Sequence, residues 1–176
     1  WGGPITINGS YTIQDRVLGC YVDYSTLEIV NPIMVIVQDN FFFNGHARLH
    51  GRKLRSLVFR ENIYSLDDYG GSLGIVLADE VQASDCEGVV IEDEINGEYN
   101  LQDWRLRSTR ARVTLYQQEE KLWVFNFSEL LLFPWIDQVQ YSVTYDHGAA
   151  LQLHGAREAN GTTVYVEFVE KTNALV

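Results

Sequence analysis

The stretch Val17-Leu18-Gly19-Cys20-Tyr21-Val22-Asp23-Tyr24 sets the fold class. Its alternate positions Leu18, Cys20, Val22 and Tyr24 make one apolar face, as expected where successive side chains of a strand point to opposite sides. Near the other end, Val164, Val166 and Phe168 alternate with Tyr165, Glu167 and Val169, which reads as a strand with one largely buried face. Runs rich in Tyr, Val, Ile, Thr and Phe recur between these two, punctuated by glycine and asparagine. Strand-like stretches fall at 5–14, 17–29, 33–43, 46–60, 73–78, 88–95, 99–116, 121–133, 138–146, 149–157 and 162–171. The dipeptides Asn44-Gly45, Asn96-Gly97 and Asn160-Gly161 supply turns, and together these features predict an antiparallel meander. No amphipathic helix of usual length is visible; the best short candidate runs from Glu61 to Asp68. A meander of this kind deals with its edges by closing. The expected fold is therefore all-β, a single antiparallel β-barrel, with a jelly-roll β-sandwich as the alternative.

At 176 residues the chain is expected to form a single domain, 1–176, and 46% hydrophobic content suits an ordinary core. A faint echo points to two pseudo-repeated halves, about 5–87 and 92–171. Asn8-Gly9-Ser10-Tyr11-Thr12-Ile13-Gln14-Asp15 recurs as Asn96-Gly97-Glu98-Tyr99-Asn100-Leu101-Gln102-Asp103. The longest apolar run, Ile33 to Val37, is far shorter than the roughly 20 residues a membrane-spanning helix needs, so no membrane partner is expected. Cys20 and Cys86 are compatible with one disulfide or with two buried thiols. An opening at Trp1 and three Asn-x-Ser/Thr triplets, at Asn8, Asn126 and Asn160, favour a secreted protein.

Charge is strongly segregated. Twelve of the 24 acids lie between Glu61 and Trp104, a span with no Lys or Arg, and nine of the 13 bases bracket it in two groups. Such a concentration needs relief from flanking arginines, a bound cation or solvation. The net charge of −11 argues against nucleic acid as a partner, because phosphate binding needs a positive field. Within the acidic span, Glu92, Glu94, Asn96 and Asp103 follow the ligand spacing of a calcium loop, with Gly97 at its turn position. Glutamates at the first two positions and an aspartate at the last depart from that pattern. The alternative is a hairpin turning at Asn96-Gly97 with solvated acids.

On an extended strand His46, Arg48, His50 and Arg52 share one face. Two histidines interleaved with arginines repel a cation, so the face suits a carboxylate or sulfate held by Arg48 or Arg52. No nucleophile elbow, phosphate loop or dinucleotide fingerprint is present, and no cofactor is expected. The aromatics Tyr99, Trp104 and Trp123 lie on predicted strands and, facing a lumen, would wall an apolar pocket.

The segment Gly155-Ala156-Arg157-Glu158-Ala159-Asn160-Gly161-Thr162-Thr163-Val164-Tyr165-Val166-Glu167-Phe168-Val169-Glu170-Lys171 resembles the closing strand pair of lipocalin-like Diels–Alderases. It is similar, more loosely, to the carotenoid hydratase barrels. The resemblance implies a lipocalin-like barrel holding an apolar, polyene-like ligand and cofactor-free cyclisation. The expected function is thus an apolar small molecule bound in the barrel interior and cyclised or isomerised there by pre-organisation. Tyr11, His50 and His154 are the catalytic candidates. Tyr99, Trp104, Trp123, Arg48 and Arg52 are the ligand-binding candidates. A non-catalytic hydrophobic-ligand carrier and a secreted calcium-dependent carbohydrate-binding module are the alternatives.

Overall fold

The structure, a computed structural model, describes residues 3–65, 74–96, 106–145 and 152–176. The chain divides into two compact units, Trp1–Arg110 and Ala111–Val176, so the expected halves at 5–87 and 92–171 do not coincide with them.

The first unit is built from three parallel sheets that the chain visits in rotation. Sheet A stacks β1 (Ile5–Asn8), β4 (Thr26–Val30), β7 (His46–His50) and β10 (Ile75–Leu77). Sheet B stacks β2 (Arg16–Leu18), β5 (Ile33–Gln38) and β8 (Leu54–Arg60), with β11 (Cys86–Glu87) and β12 (Val90–Glu92) both on β8. Sheet C stacks β3 (Tyr21–Asp23), β6 (Phe41–Phe43), β9 (Ile63–Ser65) and β13 (Ile95–Asn96). Each coil contributes strands to all three sheets, which makes a three-sided β-solenoid. Arg16 pairs with Ile36 and Ile36 with Val58, steps of 20 (36 − 16) and 22 (58 − 36) residues.

This overturns the antiparallel, lipocalin-like barrel. In the first unit strands adjacent in sequence lie in different sheets, β11 and β12 excepted, and each pairs in parallel with a strand one coil away. Among the described residues no sheet closes into a barrel. The solenoid axis is instead filled by inward side chains. Leu27, Ile29, Val35, Val37, Phe42, Leu49, Leu57, Phe59, Tyr64 and Ile91 are all fully buried. Like stacks on like: Phe42 and Tyr64 lie 4.8 Å apart at 11°, a near-parallel pair in register on β6 and β9.

The corners explain why long apparent strands are cut into short ones. The expected strand at 17–29 is three strands in three sheets. Gly19, at φ 62°, turns the chain between β2 and β3, and Tyr24, at φ 45°, turns it between β3 and β4. The apparent apolar face of Leu18, Cys20, Val22 and Tyr24 is therefore broken. Val22 is buried, whereas Leu18 and Tyr24 are 49% and 61% exposed. Stacked above one another, Gly19, Asp39, Glu61 and Asp93 share the same left-handed conformation (φ 56–62°). Gln14, Met34, Ser56 and Gly88 form a second such column (φ 51–64°). Only one residue in each column is glycine, so ordinary side chains carry most of this backbone strain. Asn44-Gly45, expected in a hairpin, is likewise a corner between sheets C and A. The helix candidate at 61–68 opens on the corner residue Glu61 and is extended at Ile63–Ser65, and residues 66–68 lie outside the described residues.

The second unit is an antiparallel sheet of β14 (Tyr116–Asn126), β15 (Thr144–Tyr145), β16 (His154–Asn160) and β17 (Thr163–Leu175). The central β17 pairs with all three others. Asn160-Gly161 does join an antiparallel pair, β16 and β17. One face packs Trp123, Phe125, Val164, Val166, Phe168 and Ala174 into a core. Trp123 tilts against Phe168 at 4.5 Å between ring centroids.

Candidate functional site

Strand alternation sends Leu27, Ile29, Ala47 and Leu49 inward on sheet A. Thr26, Glu28 and Val30 on β4 and His46, Arg48 and His50 on β7 therefore point outward. The register sets Thr26 beside His46, Glu28 beside Arg48 and Val30 beside His50. Three of the four residues expected to share a face do so. Arg52 lies past the end of β7, in a bend where its backbone N–H donates to Asn31 Oδ1 at 2.9 Å.

His50 is gripped from both sides. Its Nε2 meets Glu28 Oε2, and its Nδ1 lies 3.4 Å from Glu80 Oε1. The same Glu80 oxygen accepts from the Gly51 backbone N–H at 3.4 Å. Glu80 is held below the usual carboxylate range, first by its own backbone N–H and then by those of Gly51 and by His50. Burial lowers His46 below its ordinary value, Glu28 partly offsets that, and Arg48 adds to the lowering. Arg48 is the exposed cation of the row, flanked by a histidine on each side. This arrangement offers an anion a charged, bidentate donor on a flat surface, with strands about 4.8 Å apart to carry further contacts.

Of the other catalytic candidates, Tyr11 stands in the turn after β1, 86% exposed. His154 sits in the second unit, where its Nδ1 lies 3.1 Å from the Tyr141 hydroxyl. Trp123 is fully buried in the core of the second unit. Tyr99, Trp104 and Asp103 lie outside the described residues.

Of the calcium candidates, Glu92 and Glu94 have protein partners. Glu92 pairs with Arg60 and, at 2.9 Å, with Arg110, and these arginines hold its carboxyl low. Glu94 accepts from Asn62 Nδ2 at 3.0 Å. Asn96 lies on β13, in register with Tyr64. Among the described residues no group of three or more His, Cys, Asp or Glu is placed to hold a metal ion. The flanking arginines do relieve part of the acidic span, through Arg60 and Arg110 on Glu92. Cys20 and Cys86 are free thiols, and burial pushes the Cys86 thiol up to about 11.

Sequence reasoning missed Glu28 and Glu80 as partners of His50. The signal that could have found Glu28 is the coil period, since it lies 22 residues before His50.

No family model matches the chain, and no solved structure matches it. Among curated proteins, the chain is similar to polygalacturonase QRT3 of Arabidopsis thaliana, 27% identical over 170 residues. That alignment covers 93% of this chain and 33% of the relative, so the chain spans about a third of the length of the curated protein it matches.

Proposed function

We propose that this chain is a solenoid segment of a polygalacturonase-like protein and that the outward face of sheet A binds an acidic polysaccharide, polygalacturonate. The observation that carries this reading is the outward row His46, Arg48, His50 on a flat parallel sheet. A polymer with one carboxylate per sugar matches a guanidinium that can grip carboxylates bidentately. Extended solenoid surfaces suit extended chains. The likeness to polygalacturonase QRT3 supplies the substrate class.

The face is read as a binding surface. Glycoside hydrolysis uses two carboxyl groups, one of them kept protonated near neutral pH by a raised pKa. On this face Glu28 is engaged with His50 and Glu80 is held low. Binding against a net charge of −11 should also be sensitive to salt.

Affinity electrophoresis through gels containing polygalacturonate tests the reading. The chain is expected to be retarded, and Arg48→Ala to lose most of that retardation. Equal mobility of the two proteins in gels with and without the polymer would contradict it.

A further inference from the structure

Asn126 ends the long strand β14 of the second unit and opens the triplet Asn126-Phe127-Ser128. Strand alternation buries Trp123 and Phe125 and turns Leu122, Val124 and Asn126 to the outward face. Asn126 is exposed there, in register with Thr163 of β17. The chain turns directly after it. The Phe127 N–H donates to the Thr162 carbonyl at 2.9 Å, and the Leu130 and Leu131 N–H groups both donate to the Phe127 carbonyl at 2.9 Å.

The triplet itself is an Asx-turn, in which the Ser128 backbone N–H donates to Asn126 Oδ1 at 2.9 Å. This bond fixes the carboxamide oxygen against the backbone. The nitrogen Nδ2 has no hydrogen-bond partner among the described residues. Asn, any residue but proline, then Ser or Thr is the acceptor pattern for N-linked glycosylation, and a bulky glycan is carried only at the surface.

The same face has a second feature. Leu122 and Val124 are 38% and 46% exposed, about 14 and 7 Å along the strand from Asn126. Register sets Leu122 beside Glu167 and Val124 beside Tyr165. The Arg157 guanidinium covers the Tyr165 ring, 4.9 Å from its centroid, whereas the two aliphatic side chains are open. An apolar strip beside a surface attachment point is what a solubilising oligosaccharide can cover.

We propose that Asn126 is an N-glycosylation site and that its glycan lies over Leu122 and Val124 on the outward face of β14. This rests on the second unit alone and is independent of polygalacturonate binding. The donor is a lipid-diphosphate-linked oligosaccharide of the secretory pathway. Asn126 Nδ2 bonds to the sugar C1 as the C1–O bond to the diphosphate breaks. The lipid diphosphate leaves with the electron pair, and the amide proton passes to a base.

The other two triplets differ. Asn8 is half-buried, and the Gly9 N–H after it donates to the Val30 carbonyl at 2.9 Å. Gly9 lies so close to the Asn31 carbonyl that a Cβ would meet it at 1.8 Å. Asn160 ends β16 beside the same Thr163, and its side chain lies outside the described residues.

Peptide mapping tests the site. The full chain is made with a secretion leader in cultured eukaryotic cells, and both secreted and retained protein are treated with peptide-N-glycosidase in heavy-oxygen water. Asn126 is expected to convert to isotopically labelled aspartate. Ser128→Ala keeps the backbone donor of the Asx-turn and removes the hydroxyl that transfer requires, so it is expected to lose the label at Asn126. An unlabelled Asn126 in the unsubstituted chain, or label retained in Ser128→Ala, overturns the site. Ser128→Ala is also expected to bind more of an apolar dye than the glycosylated chain, and adding Val124→Ser to reduce that excess. Equal dye binding by Ser128→Ala and the glycosylated chain overturns the covering of Leu122 and Val124.

Discussion

Asn62 Oδ1 accepts two hydrogen bonds from Asn40, one from its backbone N–H at 3.1 Å and one from its Nδ2 at 2.8 Å. Both residues are fully buried. A polar pair inside an apolar axis is tolerated only because each group is satisfied by the neighbouring coil.

Asn62→Ala should therefore destabilise the solenoid by about 2–4 kcal/mol, since it strands the Asn40 N–H and the Val37 carbonyl and also leaves a cavity. Urea unfolding followed by circular dichroism checks this. A change below about 0.5 kcal/mol, the usual range for a surface substitution, would mean that the Asn40–Asn62 pair is not a structural tie.

The corner columns make an opposite prediction. Asp39 sits at φ 56°, a conformation that glycine adopts without steric cost. Asp39→Gly should leave stability unchanged or raise it by up to about 1 kcal/mol, whereas Asp39→Val should lower it by about 1–2 kcal/mol. Thermal melts of the two variants side by side decide the matter, and valine equal to glycine would exclude a left-handed corner there.

All-β character was legible in the sequence because inward residues of a solenoid alternate like those of any half-buried strand. Parallel pairing was not. Six of the eight residues in the two corner columns are Gln14, Met34, Ser56, Asp39, Glu61 and Asp93, and Gln, Met, Ser and Glu do not announce a left-handed turn as Asn-Gly does. The coil length also varies. Val58 pairs with Val90, a step of 32 (90 − 58), after steps of 20 and 22, and a varying period hides a repeat. Of the echo, Asn8 lies in sheet A opposite Val30 and Asn96 in sheet C opposite Tyr64, and the rest of its second copy, 97–103, lies outside the described residues. At the candidate site, the shared face of His46, Arg48 and His50 followed from strand geometry alone. The carboxylates that grip His50 depended on the inter-coil register and could not be read locally.

In the second unit, Trp123→Ala removes the largest fully buried side chain and its tilted contact with Phe168. The expected loss is about 3–5 kcal/mol. Hydrogen exchange should show the loss in β14, β16 and β17. Retained protection in those strands would contradict a core centred on Trp123.

The sheet A face carries its own pH dependence. His46 is held below its ordinary 6.5 mainly by burial, so the folded state binds fewer protons there than the unfolded chain. Stability conferred by neutral His46 is present above 6.5 and is lost as pH falls below it. His46→Asn should flatten the acid side of the profile of melting temperature against pH. An unaltered acid limb would remove His46 from this role.

Amide chemical-shift mapping with a short oligogalacturonate tests polygalacturonate binding most directly. Perturbations are expected to centre on Thr26–Val30 and His46–His50 and to vanish in Arg48→Ala. Shifts confined to the second unit, or none at millimolar oligosaccharide, would contradict the assignment of sheet A as the binding face.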